Sequence, residues 1–299
     1  MKDNYPVCLW QLGAQLGEGP VWHRASNAVY FVDIKGRNIH RFSTATGETK
    51  TWPVGGQPGF LAPLNERFFL CGMQDGLYRF DTVKGHCHKL REVEPHLPGN
   101  RINDGFVDSH GRLWFGTMDD GEASASGSLY QLGDDGRLLL RDSGYVITNG
   151  PAMSPDARTL YHADTVQRLV YAFDVGEDGT LSGRRIFVRL YGKGYPDGMA
   201  VDADAHLWIA VFGGARIERW SPLGVLVGVV RFPCDNITKL AFGGDDLRSV
   251  YVTTARKGLA PEALRQQPLA GGLFSFRAPV GGLPPTPCDG YDLGMTDSQ

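Results

Sequence analysis

Residues 207–221 read LWIAVFGGARIERWS. An apolar-aromatic run leads, Gly213 and Gly214 interrupt it, and a second extended stretch returns through Ile217 and Trp220. No 3.6-residue apolar stripe can be drawn through Ile217-Glu-Arg-Trp220, so the segment reads as strand, small-residue turn, strand. Five further segments repeat it: VYFVDIKGRNIHRFS from Val29, FFLCGMQDGLYRFD from Phe68, LWFGTM from Leu113 with GSLYQL from Gly127, LYHADTVQRLVYAFD from Leu160, and VYVTTA from Val250 with GGLFSF from Gly271. The aromatic anchors Tyr30, Phe69, Trp114, Tyr161, Trp208 and Tyr251 stand 39, 45, 47, 47 and 43 residues apart. That is the period of a four-stranded propeller blade.

The repeats predict an all-β fold, a six-bladed β-propeller of four-stranded antiparallel blades. A single domain is expected over residues 1–299, with roughly the last 20 residues as a tail. An open ring would leave an unpaired strand edge. The strand-like Val7-Cys-Leu-Trp-Gln-Leu12 precedes the first repeat and is expected to pair into the last blade and close the circle. Thr46-Gly47, Pro155-Asp156 and Asp178-Gly179 supply turn chemistry between strands, and a helix is expected only near Pro261 to Gln266.

Composition narrows the function. Forty glycines in 299 residues, well above the usual level of about 7%, fit many tight turns. Lys plus Arg is 30 and Asp plus Glu is 33, a net charge of −3. That balance argues against nucleic acid or an anionic membrane surface as the main partner. Five scattered cysteines without a CxxC pair argue against a disulfide framework or a thiolate zinc site and fit a reducing compartment. No basic head followed by an apolar stretch opens the chain, so no signal peptide is expected and a cytoplasmic location is. Leu223 to Val230 is too short to span a bilayer as a helix. The outer strands show no apolar stripe, and no obligate protein partner is expected.

Most anchors are core, so function must come from residues that break the repeat. Glu18 stands between two glycines in LGEGPVW, residues 16–22; it is either a turn glutamate in solvent or a channel carboxylate. Arg101 and Asn103 alternate with Ile102 in NRINDG, residues 100–105, so in a strand they share one face and suit a ligand with hydroxyls. Asp104-Gly105 can be read as a turn. Asn149 precedes Gly-Pro as Glu18 does, and Asp197-Gly198 in YPDGMAVD enters its blade where Asp104-Gly105 enters another. Asn236-Ile-Thr-Lys239 can add polar lining to the sixth entrance. His86-Cys87-His88 lies in a polar hairpin, and His162 and His206 read as strand or turn residues.

Convergence of Glu18, Asn149 and Asp197 would bring two carboxylates and an amide oxygen together. Like charges held close need a cation between them. An all-oxygen set suits one divalent metal ion: Ca²⁺, Mg²⁺, Mn²⁺, or Fe²⁺ or Zn²⁺. Three protein ligands leave positions open for water and substrate.

The motifs LGEGPVW, NRINDG, ITNGPAMSPD and YPDGMAVD, in this order, resemble the gluconolactonase/senescence-marker-protein/luciferin-regenerating-enzyme family, which includes regucalcin and bacterial sugar lactonases. The likeness runs from about Leu12 to Arg277. Thr254-Ala-Arg-Lys-Gly-Leu259 and Pro268-Leu-Ala-Gly-Gly-Leu273 look more like bacterial pentonolactonases such as xylonolactonase. The resemblance implies a six-bladed propeller with one divalent metal in its channel, metal ligands at Glu18, Asn149 and Asp197, and substrate contacts at Arg101 and Asn103. A further acidic contact follows the GTM motif in family members. Here the ungapped position meets Gly121; Asp120 is the choice, with Asp119 and Glu122 as alternatives. The implied activity is hydrolysis of an aldonolactone to the aldonic acid, with a pentonolactone such as xylonolactone or arabinonolactone as the small-molecule partner and Asp197 as the base. A hydrolase of another ester or organophosphate, or a non-enzymatic calcium-binding propeller, would use the same site.

Overall fold

The computed structural model describes residues 5–133 and 135–288. The alternating segments fold as six four-stranded antiparallel sheets arranged as the blades of a ring. The innermost strands are Gly17–His23, Phe60–Pro63, Asn100–Val107, Thr148–Met153, Tyr195–Val201 and Ile237–Gly243. Each anchor aromatic sits on the next strand outward and is buried. The apolar residues pack chiefly between blades: Tyr30 and Trp52 of the first blade with Phe69 and Phe80 of the second, and Trp208 and Ile217 of the fifth with Leu240, Val252 and Phe274 of the sixth.

Ring closure follows the expectation. Val7–Trp10 is the outer strand of the sixth blade, with Val7 opposite Ser275 and Cys8 opposite Phe274. The short helix forms over Pro261–Gln266. Among the described residues no helix is long and apolar enough to cross a membrane.

Two blades share a buried brace. Asp108 accepts the indole N–H of Trp114 at 2.9 Å and Nε of Arg112 at 2.7 Å. Asp202 accepts the indole N–H of Trp208 at 2.8 Å and Nε of Arg219 at 2.8 Å. Each carboxylate also accepts two backbone N–H groups of its own turn. Both carboxylates are fully buried, so the bonds replace the solvation that the charge has lost.

Residues 280–288, expected as the start of a tail, cross the ring instead. Ala203 donates to Gly281 O, Gly282 donates to Leu247 O, and the Cys288 N–H reaches Pro63 O at 2.7 Å. Leu283 to Thr286 form part of the wall of a cavity of about 180 Å³, lined also by Phe60, Met153, Met199 and Phe242, at the far end of the inner strands. The rest of the expected tail, residues 289–299, lies outside the described residues.

Replacing Asp202 by Ala strands the Trp208 N–H and the Arg219 guanidinium in the interior. A loss of roughly 3 kcal/mol is expected, read as a lower urea midpoint with an unchanged slope.

Candidate active site

Five of the six inner strands break register near their entrance. In the first blade Glu18 pairs with Val32, but the next pair is Val21 with Tyr30. One residue is therefore extra, which is a β-bulge. The same break falls between Ile102 and Asp104, between Asn149 and Ala152, between Pro196 and Met199, and between Ile237 and Lys239. The second blade pairs Phe60–Pro63 in unbroken register and puts Phe60, an apolar ring, at the channel. A bulge re-aims side chains that a regular strand would send into the blade interface. Gly19 and Gly150, at φ of 53° and 70°, supply the left-handed backbone that two of these bulges need.

The bulges bring distant residues to one cavity of about 330 Å³. Glu18, Arg101, Asn103, Asn149 and Asp197 line it, with Leu16, Ile147, Val166, Tyr195 and Phe212 as apolar walls and Glu122 and Lys257 near the mouth. The five polar residues first named are each no more than 6% exposed. Glu18 is thus a channel carboxylate and not a solvent turn.

Hydrogen bonds fix the arrangement. Arg101 donates to Asn103 Oδ1 at 2.6 Å, and Asn103 Nδ2 donates to Thr148 O at 2.6 Å and to Asn149 Oδ1 at 3.0 Å. Asn149 Nδ2 donates to Thr165 Oγ1 at 2.9 Å, and that hydroxyl donates to Pro196 O at 2.8 Å. Thr165 therefore locks the amide so that its oxygen faces Asn103 and the cavity. Nothing around Thr165 in the sequence marks it, because its partners come from other strands.

Glu18 and Asp197 lie close enough to share a hydrogen bond. Burial first, then the charge of Asp104, pushes Glu18 up to about 8. Burial and the neighbouring charges of Glu18 and Asp104 hold Asp197 well above the ordinary carboxylate range. Without a cation, the pair stays together by retaining a proton. Asp104, read from sequence as a turn, is buried in the same channel and paired with Lys239. The Lys239 ammonium also reaches Gly105 O at 3.2 Å.

Asp120 does not line the cavity. Its carboxylate accepts from Nζ of Lys35 at 2.6 Å, Nε of Arg101 at 2.6 Å and Nε2 of Gln57 at 3.1 Å. Burial opposes its charge, but these donors prevail and hold it at about 2. It is a permanent anion behind Arg101. Asp119 accepts the N–H groups of Gly121, Ala123 and Ser124 and shapes its own loop. Of the three acidic residues after the GTM motif, Glu122 is the one on the cavity wall. His162 is fully buried edge-on to Tyr145, within the core.

The residues suit a cation by charge. Asp104 is paired with Lys239, so Glu18 and Asp197 would carry two uncompensated negative charges, while Arg101 and Lys35 share the single charge of Asp120; the whole cluster is left at −1. Among the described residues no group of three or more His, Cys, Asp or Glu side chains is placed to hold a metal; the candidate set here is two carboxylates and an amide oxygen, and hard cations take such donors.

Fold and cavity together define a β-propeller with an acidic cavity at one mouth of its channel. The chain belongs to the SMP-30/gluconolactonase/LRE-like family, whose model matches residues 16–256. It is 32% identical to the 6-deoxy-6-sulfogluconolactonase of Pseudomonas putida over 92% of this chain and 95% of that one. It is 34% identical to the regucalcin of Sus scrofa over 95% and 98% of the two chains. Among solved structures, the calcium-binding protein regucalcin of Agrobacterium tumefaciens superposes with a TM-score of 0.92 at 29% identity, covering 96% of this chain and 98% of that one.

With Glu18 raised to about 8 and Asp197 also raised, the metal-free folded protein holds protons that the unfolded chain releases at lower pH. The stability contributed by these groups therefore falls as pH rises from their ordinary range toward 8. A dication must displace those protons. Its affinity is expected to drop about tenfold per pH unit for each proton displaced between pH 8 and 6. Calorimetric titration of Mn²⁺ into stripped protein checks this, and a pH-independent affinity would contradict it.

Proposed function

We propose that the protein hydrolyses a sugar lactone to the aldonic acid with the help of one divalent metal ion, and that its substrate is a five-carbon lactone such as xylonolactone or arabinonolactone. The observation that carries this reading is the meeting of Glu18, Asn149 and Asp197 with Arg101 and Asn103 at one cavity. The lactonase named among the relatives supports the reaction class. The pentonolactonase-like stretch at 254–259 supports the five-carbon ring, and its Lys257 reaches the cavity wall.

Glu18, Asn149 and Asp197 would hold the ion, which when bound supplies a Lewis acid for the ester carbonyl. Asp197, once deprotonated, accepts the proton of the attacking water. The guanidinium of Arg101 and the amide of Asn103 bind sugar hydroxyls and fix the ring over Asp197. Asp120 acts through Arg101, which it holds in place. Leu16, Ile147 and Phe212 limit the water around the ester.

Asp197→Asn is expected to lower kcat by roughly 10²- to 10⁴-fold. Arg101→Ala should act mainly on KM. A panel of pentono- and hexonolactones, with metal-free and enzyme-free controls for spontaneous opening, reads both. Full activity with normal metal content in Asp197→Asn would remove the base from that position.

A further inference from the structure

We propose that the Glu122–Lys257 ion pair makes this site select lactones that are uncharged at the end remote from the ester, with Lys257 as the residue that reads that end. The inference rests on the lactonase reading and names the substrate class within it.

Both side chains line the cavity, and they are bonded to each other across 135 residues of sequence. Each is about one-third exposed, 33% for Lys257 and 36% for Glu122, so they sit at the mouth while the Glu18–Asp197 end is buried. On the lactonase reading, a lactone with its carbonyl at the buried Glu18 and Asp197 would have its remote end directed to this mouth.

Neither residue is placed casually. The N–H of Lys257 donates to Gln15 O at 2.8 Å, and its carbonyl accepts Nδ2 of Asn236 at 2.9 Å. Glu122 has φ of 58°, in the left-handed region that favours glycine. Its loop is pinned by Asp119 and by the Asp120 N–H on Gly99 O at 2.9 Å. The hydrogen-bonded loop thus presents a carboxylate to Lys257.

Pairing cancels the charge of the mouth. The other cation on the cavity wall, Arg101, lies at the buried end, its side chain 1% exposed, where it shares Asp120 with Lys35. Among the described residues at the cavity mouth, then, no cation is left over for an anionic substituent. A neutral hydroxyl can still accept from the Lys257 ammonium and donate to Glu122. A sulfonate or phosphate would instead meet the Glu122 carboxylate. At this exposure the penalty for one charge is modest, about tenfold in kcat/KM.

The test compares D-glucono-1,5-lactone with its 6-deoxy-6-sulfonate, whose anion is a poor ligand for hard dications, on the metal-loaded full-length protein. The wild type should favour the neutral lactone by about tenfold. Glu122→Gln frees Lys257, and the sulfonated lactone should gain about tenfold through KM with kcat little changed, a gain that fades as salt rises. Glu122→Gln combined with Lys257→Met should lose that gain. A wild type that prefers the sulfonate, or an unchanged ratio in Glu122→Gln, overturns the inference while leaving the lactonase reading intact. Hydrolysis of neither lactone, nor of the pentonolactones, overturns both.

Discussion

Three buried carboxylates share one channel with a single buried ammonium. Glu18, Asp104 and Asp197 cannot all ionise beside Lys239 without help, since charges out of water and within a few ångströms of each other are costly. Burial forces the choice between retained protons and a dication. The site's other cation, Arg101, relieves the pressure only in part, because it is held against Asp120, which it shares with Lys35. The rest of the site, from the locked amide of Asn149 to the bulges that aim the ligands, serves to hold this imbalance in one place.

The propeller repeat supplies the geometry. Equivalent inner strands enter the channel side by side, and one extra residue at the same depth turns a side chain from the blade interface toward the axis. Closing the ring with Val7–Trp10 ties the first blade to the sixth, and Thr238 Oγ1 on Gly17 O, at 2.6 Å, adds a bond between the same two blades beside Glu18. A loosened ring would let Glu18 and Asp197 move apart, so architecture and chemistry share a single constraint.

Much of this was legible in the sequence because repetition is visible along a chain. The six anchors carry the blade period, and Gly-Pro after both Glu18 and Asn149 marks equivalent positions in two blades. What could not be read depends on partners from other blades. Asp104 looked like a turn because Lys239, its counter-ion, lies 135 residues away. Thr165 carries no motif. Asp120 and Glu122 are two residues apart, and only the fold of their loop decides that one backs Arg101 and the other faces the cavity. Residues 280–288 lack strand alternation, yet their backbone groups find partners on the Leu247, Ala203 and Pro63 backbones.

The most direct measurement is anomalous diffraction at the manganese edge from crystals of stripped protein soaked in Mn²⁺. The account predicts one strong peak in the channel, within bonding distance of carboxylate oxygens of Glu18 and Asp197 and of Asn149 Oδ1, and its loss in Glu18→Gln. A peak bound elsewhere, or a channel that stays free of metal while Glu18 and Asp197 keep their shared proton at high pH, would contradict it.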